Sequence, residues 1–166
     1  MTRSQSKTRA ETEVTLVRDD TLQQFVGYQL RRASNAVLSD LAKVLKPFEL
    51  RMITYTALVL IVDNPGLRQS QLADAMDVER PNLVVIVTEL EQRNLITRDT
   101  VPTDRRAYAL RATLEGRHLY ERCLKAVHAY EAALVDGIDP DALRMLNKAA
   151  HDIQKNAHKR NSGKDT

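Results

Sequence analysis

Apolar residues recur every three or four positions along most of the chain, which is the spacing of one face of an α-helix. The first such stretch runs from about residue 20, where Asp20 or Thr21 is expected to act as the cap, to Pro47. A second begins near Met52 and stops at Asn64-Pro65-Gly66. The predicted inner faces are Leu30, Ala33, Val37, Leu41 and Leu45 for the first helix and Tyr55, Leu58, Val59 and Val62 for the second.

Two shorter helices are predicted next, joined by a tight turn at Met76-Asp77-Val78. Ser70 is expected to cap the first of them. The second starts near residues 79–80, because Pro81 suits a first helical turn, and ends at Asn94, where a left-handed residue commonly stops a helix. The predicted inner faces are Leu72, Ala73 and Met76 for the first and Leu83, Ile86, Val87 and Leu90 for the second. Such a pair is a helix-turn-helix.

The pattern then changes to alternating apolar and polar residues, which predicts strands from Leu95 to Val101 and from Arg106 to Ala112. Pro102-Thr103-Asp104 supplies the turn between them, and the tip carries Asp104, Arg105 and Arg106. A helix-turn-helix followed by a ribbon with a basic tip is the outline of a winged helix. The predicted fold class is therefore mainly α with a small two- or three-stranded β wing.

Two long helices complete the pattern. Thr113 is expected to cap the first and Gly137 to end it, while Asp139 caps the second with Pro140 in its first turn. Their apolar faces are Leu119, Cys123, Val127, Tyr130 and Leu134, and Leu143, Leu146, Ala150 and Ile153.

The apolar surface of the first and the last two helices exceeds what a small winged helix can cover, which predicts a homodimer that buries these faces. The expected organisation is a mobile or disordered polar tail over residues 1–19, a single domain over 20–157 and a polar tail over 158–166. Within the domain, the winged helix-turn-helix spans about 51–112, and the dimerisation helices span about 20–47 and 113–157.

Composition narrows the class of protein only slightly. A length of 166 residues suits one domain, and a single Cys allows no internal disulfide, as expected in a reducing cytoplasm. No run approaches the ~18 apolar residues of a membrane span, and the polar start predicts no secretory signal. A net charge of +3 is weak evidence for nucleic acid, so the positions of the charges must carry that inference.

The run DRRAYALRATLEG resembles the wing signature of the MarR (multiple antibiotic resistance regulator) family, roughly D-x-R-x-x-x-L-x-L-T-x-x-G. The matching positions are Asp104, Arg106, Leu110, Thr113 and Gly116, and Ala112 replaces the second Leu. LEQRNLITR is similar to the family's L-E-x-x-G-L-[IV]-x-R, with Asn94 in place of Gly. The resemblance covers the chain from about Leu22 to about Ile153. It implies a two-fold dimer built from the terminal helices, and commonly a repressor that a small ligand releases from DNA.

Members of the family often have Gly where Glu49 lies and Thr or Ser where Arg51 lies. Both departures predict that local side chains cap the helix near Met52 poorly. In the recognition helix, the positions of Asn82, Val84 and Val85 are usually more polar in the family. We therefore expect an A·T-leaning half-site and a larger share of affinity from phosphates, although these valines would also suit plain packing against the wing.

The expected partner is double-stranded DNA, held by residues from three elements. Asn82, Val84, Val85, Pro81 and Thr88 face the major groove, and Arg80 grips a phosphate or a base edge. Phosphate contacts are expected from the preceding helix start and from the ribbon. Arg105 or Arg106 enters the minor groove, and Asp104 orients an arginine of the tip. The predicted DNA-binding set is Gln69, Ser70, Gln71, Arg80, Pro81, Asn82, Val84, Val85, Thr88, Arg98, Asp104, Arg105 and Arg106, with Arg111 as a further backbone contact.

An effector site is expected between the dimer helices and the winged helix, as the resemblance implies. An arginine there would pair with an anionic ligand such as an aromatic acid or an acyl-CoA. The candidates are Tyr28, Arg31, Arg32, Met52, Tyr55 and His118, each of which would also suit a purely structural role.

The rival functions are an effector-independent regulator, an activator and a redox sensor acting through Cys123. The last is disfavoured because Cys123 lies in an apolar stripe, where a thiol is usually inert. His118, His128, His151 and His158 show no metal-site spacing, so no metal or cofactor is expected. An enzyme is not expected either, since the chain has no glycine-rich phosphate loop, nucleophile elbow or HExxH motif.

Overall fold

The protein is described from a computed structural model, which covers residues 17–101 and 104–162, with side chains described for 17–100 and 108–159. The helices are α1 (Asp20–Gln23), α2 (Val26–Leu45), α3 (Met52–Asp63), α4 (Gln69–Met76), α5 (Arg80–Gln92), α6 (Leu114–Leu134) and α7 (Pro140–Ser162), with a 3₁₀ turn at Lys46–Phe48. The strands are β1 (Leu67–Arg68), β2 (Ile96–Val101) and β3 (Asp104–Ala112). Contacts divide the chain into a first unit up to Asp40 and a second unit from Leu41, which are described separately.

In the first unit, the helix predicted from residue 20 is interrupted after Gln23, and α2 begins at Val26. Asp19 is the residue before α1, but its side chain makes no cap hydrogen bond, so the prediction of Asp20 or Thr21 as the cap is wrong. The Asp19 carboxylate instead accepts hydrogen bonds from the Tyr28 hydroxyl at 2.6 Å and from Arg32 Nη1 at 3.0 Å. These hydrogen bonds tie the residue that precedes α1 to two side chains of α2.

The second unit is a winged helix with one apolar core shared by α3, α4, α5, α6 and the sheet. Its fully buried side chains include Leu58 of α3, Leu72 of α4 and Leu83 of α5. The predicted stripe of α5 is buried as a whole, and so are Leu119 and Cys123 of α6. The predicted fold class is confirmed.

The sheet is antiparallel with strand order β1-β3-β2. Leu67 of β1 and Arg98 of β2 both lie opposite Leu110 of β3, whose side chain is fully buried. The two-residue β1 is too short for its own periodicity to show in the sequence. It is recruited because the N–H of Gly66 donates to the Leu110 carbonyl at 2.8 Å, beside the strand that the pattern does predict.

The inner face of α3 is broader than its periodicity predicts. Thr54, Ala57 and Ile61 are buried as well as Tyr55 and Leu58, whereas the predicted Val59 and Val62 are half-buried. Because α3 packs against α4, α5, α6 and β3, more than one of its faces is covered. A single stripe therefore describes this helix incompletely.

The start of α3 lacks a local cap, as Glu49 and Arg51 predict. Glu49 adopts a left-handed conformation with φ 55°, and the Arg51 side chain makes no cap hydrogen bond. Arg93, at the end of α5, donates from Nη1 to the Glu49 carbonyl at 2.6 Å and from Nη2 to the Phe48 carbonyl at 3.1 Å. An arginine only donates hydrogen bonds, so Arg93 satisfies two carbonyls that precede α3 and ties the end of α5 to that segment, but it does not cap the N–H groups of α3.

The start of α4 corrects a second predicted cap. Arg68 is the residue before the helix and Ser70 lies inside its first turn, so Ser70 is not the cap. Gln71 performs part of that role, because its Oε1 accepts the Arg68 N–H at 3.0 Å. Asp77 and Asn94 both have positive φ, at 51° and 56°, as the predicted turns require.

The caps of α6 and α7 agree with the sequence, but their ends do not. Thr113 Oγ1 accepts the Gly116 N–H at 2.9 Å, and Asp139 Oδ1 accepts the Asp141 N–H at 3.1 Å. However, α6 already ends at Leu134, before Gly137, and α7 continues through residues 158–162, which the sequence assigns to a polar tail. Nothing in α7 ends its helix at 157, since no glycine or proline follows until Gly163.

Candidate nucleic-acid interface

The outer face of α5 is exposed where the sequence places the base-reading residues. Val84 and Val85 are 49% and 62% exposed, and Arg80, Pro81 and Asn82 are exposed as well. This orientation follows from burial of the opposite stripe, because residues on one side of a helix repeat every 3.6 positions. A row of methyl groups and one amide is therefore available to a groove of DNA.

The start of α4 presents the polar residues predicted to meet phosphate. Ser70 and Gln71 are exposed, while Gln69 is half-buried. Gln71 already accepts the Arg68 N–H, as described above. The buried Nε2 of Gln69 has no hydrogen-bond partner among the described residues. These positions stay predictions as phosphate contacts.

Arg98 and Thr88, both predicted to touch DNA, contact each other. Arg98 Nη2 donates to Thr88 Oγ1 at 2.9 Å, and Arg98 Nε lies 3.0 Å from Glu91 Oε2. The Nε–H does not point at that oxygen, so the second contact is electrostatic and not a directed hydrogen bond. Only 19% of the Arg98 side chain is exposed. This arginine links β2 to α5.

The rest of the wing carries more accessible charge. Arg111 Nε pairs with Asp99 Oδ2 at 3.1 Å across the β2–β3 ladder, and both side chains are about half exposed. Asp104, Arg105 and Arg106 begin β3, but their side chains lie outside the described residues. Their predicted roles at the wing tip stay predictions.

The predicted effector residues fall in both units. Tyr28, Arg31 and Arg32 lie on α2 in the first unit, where Arg31 is exposed. Arg32 and Tyr28 share the Asp19 carboxylate, and the Arg32 guanidinium lies 5.7 Å from the centre of the Tyr28 ring. The Tyr28 hydrogen bond is the main reason that the pKa of Asp19 is lowered. Tyr28 and Arg32, two of the candidates for binding an anionic ligand, therefore already bind the Asp19 carboxylate.

The candidates in the second unit have different surroundings. Met52 is half-buried and His118 is exposed. Tyr55 belongs to the core, and burial is the main reason that its pKa is raised, with Cys123 and Tyr120 contributing next. Their role in a ligand site stays a prediction.

Cys123 is fully buried in α6, and burial raises the pKa of its thiol to about 11. A thiol reacts with oxidants through its thiolate, so at neutral pH this side chain is a poor redox centre. The environment is that of a small apolar core residue.

No role is predicted for Glu91 from the sequence, although the structure places it beside Arg98. Glu91 stands in the family-like run LEQRNLITR together with Arg98, and the fold brings these two charges into contact. Glu91 lies near the predicted helix end and Arg98 near the predicted strand start, so their opposite charges indicate a possible ion pair. Only the turn at Asn94 determines that the two side chains meet. Elsewhere, no helix in the described part of the chain is both long and apolar enough to span a membrane.

Comparison with known proteins supports these structural features. The model of the MarR family matches residues 51–108, which run from the start of α3 into β3. A protein of Thauera aromatica named as a transcriptional regulatory protein for the hcr operon is 43% identical over 103 residues, which are 61% of this chain and 62% of that protein. The match therefore spans less than two thirds of that relative's length.

Solved structures extend the likeness over more of the chain. A MarR-family transcriptional regulator from Rhodococcus sp. RHA1 superposes with a TM-score of 0.71 at 31% identity, covering 77% of this chain and 91% of that one. CouR from Rhodococcus jostii RHA1, bound to p-coumaroyl-CoA, gives a TM-score of 0.73 at 32% identity, with coverages of 80% and 93%. The repressor CouR bound to a 23-mer DNA duplex gives 0.80 at 30% identity, with coverages of 84% and 99%.

A relative above 30% identity that is covered almost completely establishes more than a shared fold. The core, the helix-turn-helix and the three-stranded wing are those of this group of DNA-binding regulators. The chain belongs to the MarR family and is a transcriptional regulator.

Proposed function

We propose that this protein is a homodimeric repressor that binds a pseudo-palindromic operator and is released by a small anionic ligand of the acyl-CoA or aromatic-acid type. The observation that carries the proposal is the exposed face of α5 beside an antiparallel wing. The inner stripe of α5 is buried, so Asn82, Val84 and Val85 on its outer side point away from the core and are exposed. Double-stranded DNA, with a groove that admits one helix, is the matching partner.

The residue roles divide between base and phosphate contacts. Asn82 has an amide that can both donate to and accept from adenine, and Val84 and Val85 offer methyl groups to thymine. A good base contact gives roughly 1–3 kcal/mol of discrimination. Arg80, Ser70, Arg111 and the tip arginines Arg105 and Arg106 contribute phosphate contacts, each worth about one unit of salt slope.

Dimerisation is supported by apolar side chains that the described part of the second unit leaves uncovered. They lie at the end of α6, in the segment that follows it and along α7, where no residue from 140 to 159 is buried. The most exposed of them are Leu134, Ile138, Met145, Leu146 and Ile153. Two copies related by a two-fold axis would bury these faces and present two recognition helices about one DNA turn apart, roughly 34–36 Å.

The effector proposal is supported by chemistry and by likeness. CouR was solved with p-coumaroyl-CoA, whose CoA part is anionic. This chain has exposed Arg31 on α2, and a guanidinium suits a phosphate or carboxylate partner. Tyr28, Arg32, Met52, Tyr55 and His118 remain the other proposed contacts.

DNA binding is tested by selecting bound fragments from a random duplex library at low salt and titrating the selected duplex in a band-shift assay. We expect a two-fold symmetric, A·T-leaning site bound by two chains. Failure to retain any duplex at low ionic strength would contradict the proposal, and a single chain in the complex would contradict its dimeric part.

Ligand release is tested on the same complex. Titration with p-coumaroyl-CoA, free p-coumarate and CoA alone separates the contributions of the acyl and nucleotide parts. Release by the thioester at lower concentration than by either part supports an acyl-CoA effector, and release by p-coumarate alone supports an aromatic acid. Unchanged DNA affinity with all three, alongside other acyl-CoA thioesters and aromatic acids, would favour effector-independent regulation.

A further inference from the structure

Arg98 occupies an unusual position for a wing arginine, because its charge is directed towards the protein. Its backbone is fixed by pairing with β3, opposite Leu110. Its guanidinium reaches back to Thr88 and Glu91 of α5, which are three residues apart and therefore lie on one face of that helix. One side chain thus contacts two successive turns of the recognition helix.

The electrostatics of Arg98 argue against a phosphate contact. Glu91 places a negative charge beside the guanidinium, and this charge would repel a phosphate approaching the same group. With 19% of its side chain exposed, Arg98 would also have to leave both partners to reach DNA. Its departure would leave the Thr88 hydroxyl oxygen and the Glu91 carboxylate without this positive partner, which is costly.

Arg111 is the natural comparison on the same ribbon. It also has a carboxylate partner, Asp99, but 55% of its side chain is exposed. It lies opposite Thr97 on the ladder, next to the Arg98 pair. The two arginines therefore differ in direction and exposure, and not in their distance along the wing.

We infer that Arg98 and Thr88 are positioning residues that hold the wing at a set angle to the recognition helix, and that neither is a contact to DNA. Arg98 fixes β2 against α5 through Thr88 and Glu91, so that helix and wing enter neighbouring grooves together. Losing the link weakens operator binding because the two elements must then be ordered on the DNA at an entropic cost. This inference rests on the proposed DNA binding.

The salt dependence of binding separates positioning from contact. Each phosphate contact contributes about one unit to the slope of log K against log salt, whereas a positioning residue changes affinity without changing that slope. A base contact would alter preference at one base pair. We expect Thr88→Val and Arg98→Met to weaken operator binding roughly tenfold with an unchanged slope and an unchanged base preference.

The experiment is an anisotropy titration of the selected operator between about 50 and 200 mM salt, the range over which phosphate contacts are readily counted. The variants are Thr88→Val, Arg98→Met and the double variant, with Thr88→Ser to restore the hydroxyl and Arg111→Met as the exposed control. The double variant should lose no more operator affinity than either single variant, and Thr88→Ser should bind the operator like the parent chain. Arg111→Met should lower the slope.

Three results would overturn the inference. A slope reduced by about one unit in Arg98→Met would make Arg98 a phosphate contact, and additive losses in the double variant would separate it from Thr88. Binding unaffected in both single variants would make the link irrelevant to DNA. If Arg98→Met fails to fold by circular dichroism, the nearly isosteric Thr88→Val and its Thr88→Ser rescue decide alone. If the unmodified chain binds no duplex, the proposed function fails together with this inference.

Discussion

Helices α3 and α7 both carry apolar side chains but use them differently. In α3, Leu58 and Ile61 are fully buried within the chain's own core. In α7, Met145 is 72% exposed and Leu146 is 54% exposed. The comparison teaches that an apolar stripe predicts burial but not the molecule that provides it. The stripe of α3 is satisfied by the same chain, whereas that of α7 is left, in our proposal, for a second copy.

The largest expected effect is a core truncation in α3. Leu58→Ala should lower the free energy of unfolding by about 2–5 kcal/mol, because a fully buried leucine loses its contacts and leaves a cavity. Urea unfolding followed by circular dichroism measures this loss, which should be the same at every protein concentration.

Leu146→Ala is the matched change in α7. The exposed leucine should contribute under about 1 kcal/mol to the isolated subunit, and its loss should instead raise the dimer dissociation constant. Sedimentation equilibrium measures the latter. A large loss of subunit stability with unchanged self-association would contradict the division between the two helices.

A substitution at Gly116 is a second test of packing within one subunit. A Cβ added at Gly116 would overlap the carbonyl oxygen of Leu95 and lie 2.9 Å from its carbonyl carbon. Because backbone must move, Gly116→Ala should cost about 3 kcal/mol in thermal or urea unfolding.

Gly27→Ala in α2 is the control, since nothing lies within 4 Å of a Cβ there. It should be neutral or stabilise the protein by up to about 1 kcal/mol through helix propensity. Equal losses of unfolding free energy in both variants would show that the close approach of Gly116 to Leu95 does not contribute to stability.

The first half of α6 is packed in the core, whereas its end is exposed at Leu134. Cys123 lies in the packed half. Its thiol pKa is raised from 9.0 to about 11, so the native state holds its proton after the unfolded chain has released it. The corresponding stability is fully present below pH 9 and is lost as the pH rises towards 11, by about 2 kcal/mol. Urea unfolding of the parent chain and of Cys123→Ala is compared from pH 8 to 10.5. The free energy of unfolding should fall less with pH in the variant than in the parent chain. Parallel pH profiles would contradict this assignment.

The wing tip extends the comparison to a surface whose proposed partner is DNA. Arg106→Ala should leave unfolding unchanged, weaken operator binding about tenfold and reduce the salt slope by about one unit. Asn82→Ala should instead relax base preference with little change in slope. Full affinity and specificity in both variants, measured by band shift, would remove these residues from the site.

Much of the winged helix could be predicted from periodicity and turn chemistry. The buried stripe of α5, the Thr113 cap, the turn at Asp77 and the left-handed Asn94 all follow from local patterns, and the structure confirms them. The predicted caps at Asp20 or Thr21 and at Ser70 were wrong because both helices begin earlier than the pattern indicates. The residues that precede them are Asp19 and Arg68, and neither gives its helix a side-chain cap hydrogen bond.

The candidate site divides in the same way. The outward direction of Val84 and Val85 was predictable, because a buried stripe determines the opposite face of its helix. The contact between Arg98 and Thr88 was not, since it depends on the angle at which β2 leaves the turn after α5. A charged residue on a ribbon has the same local pattern whether it points to solvent or to a neighbouring helix.

The sequence by itself determined the approximate positions of the main helices, where the wing lies and which faces are apolar, because these depend on residues a few positions apart. Only the tertiary structure decided that Arg93, just after α5, donates to the carbonyls of Phe48 and Glu49 before α3, that Asp19 pairs with Arg32 and that Arg98 turns inward. Each of these is an interaction between charged or polar groups whose partner lies in another element. Such partners are selected by packing, which brings distant segments together and limits the water that reaches their side chains.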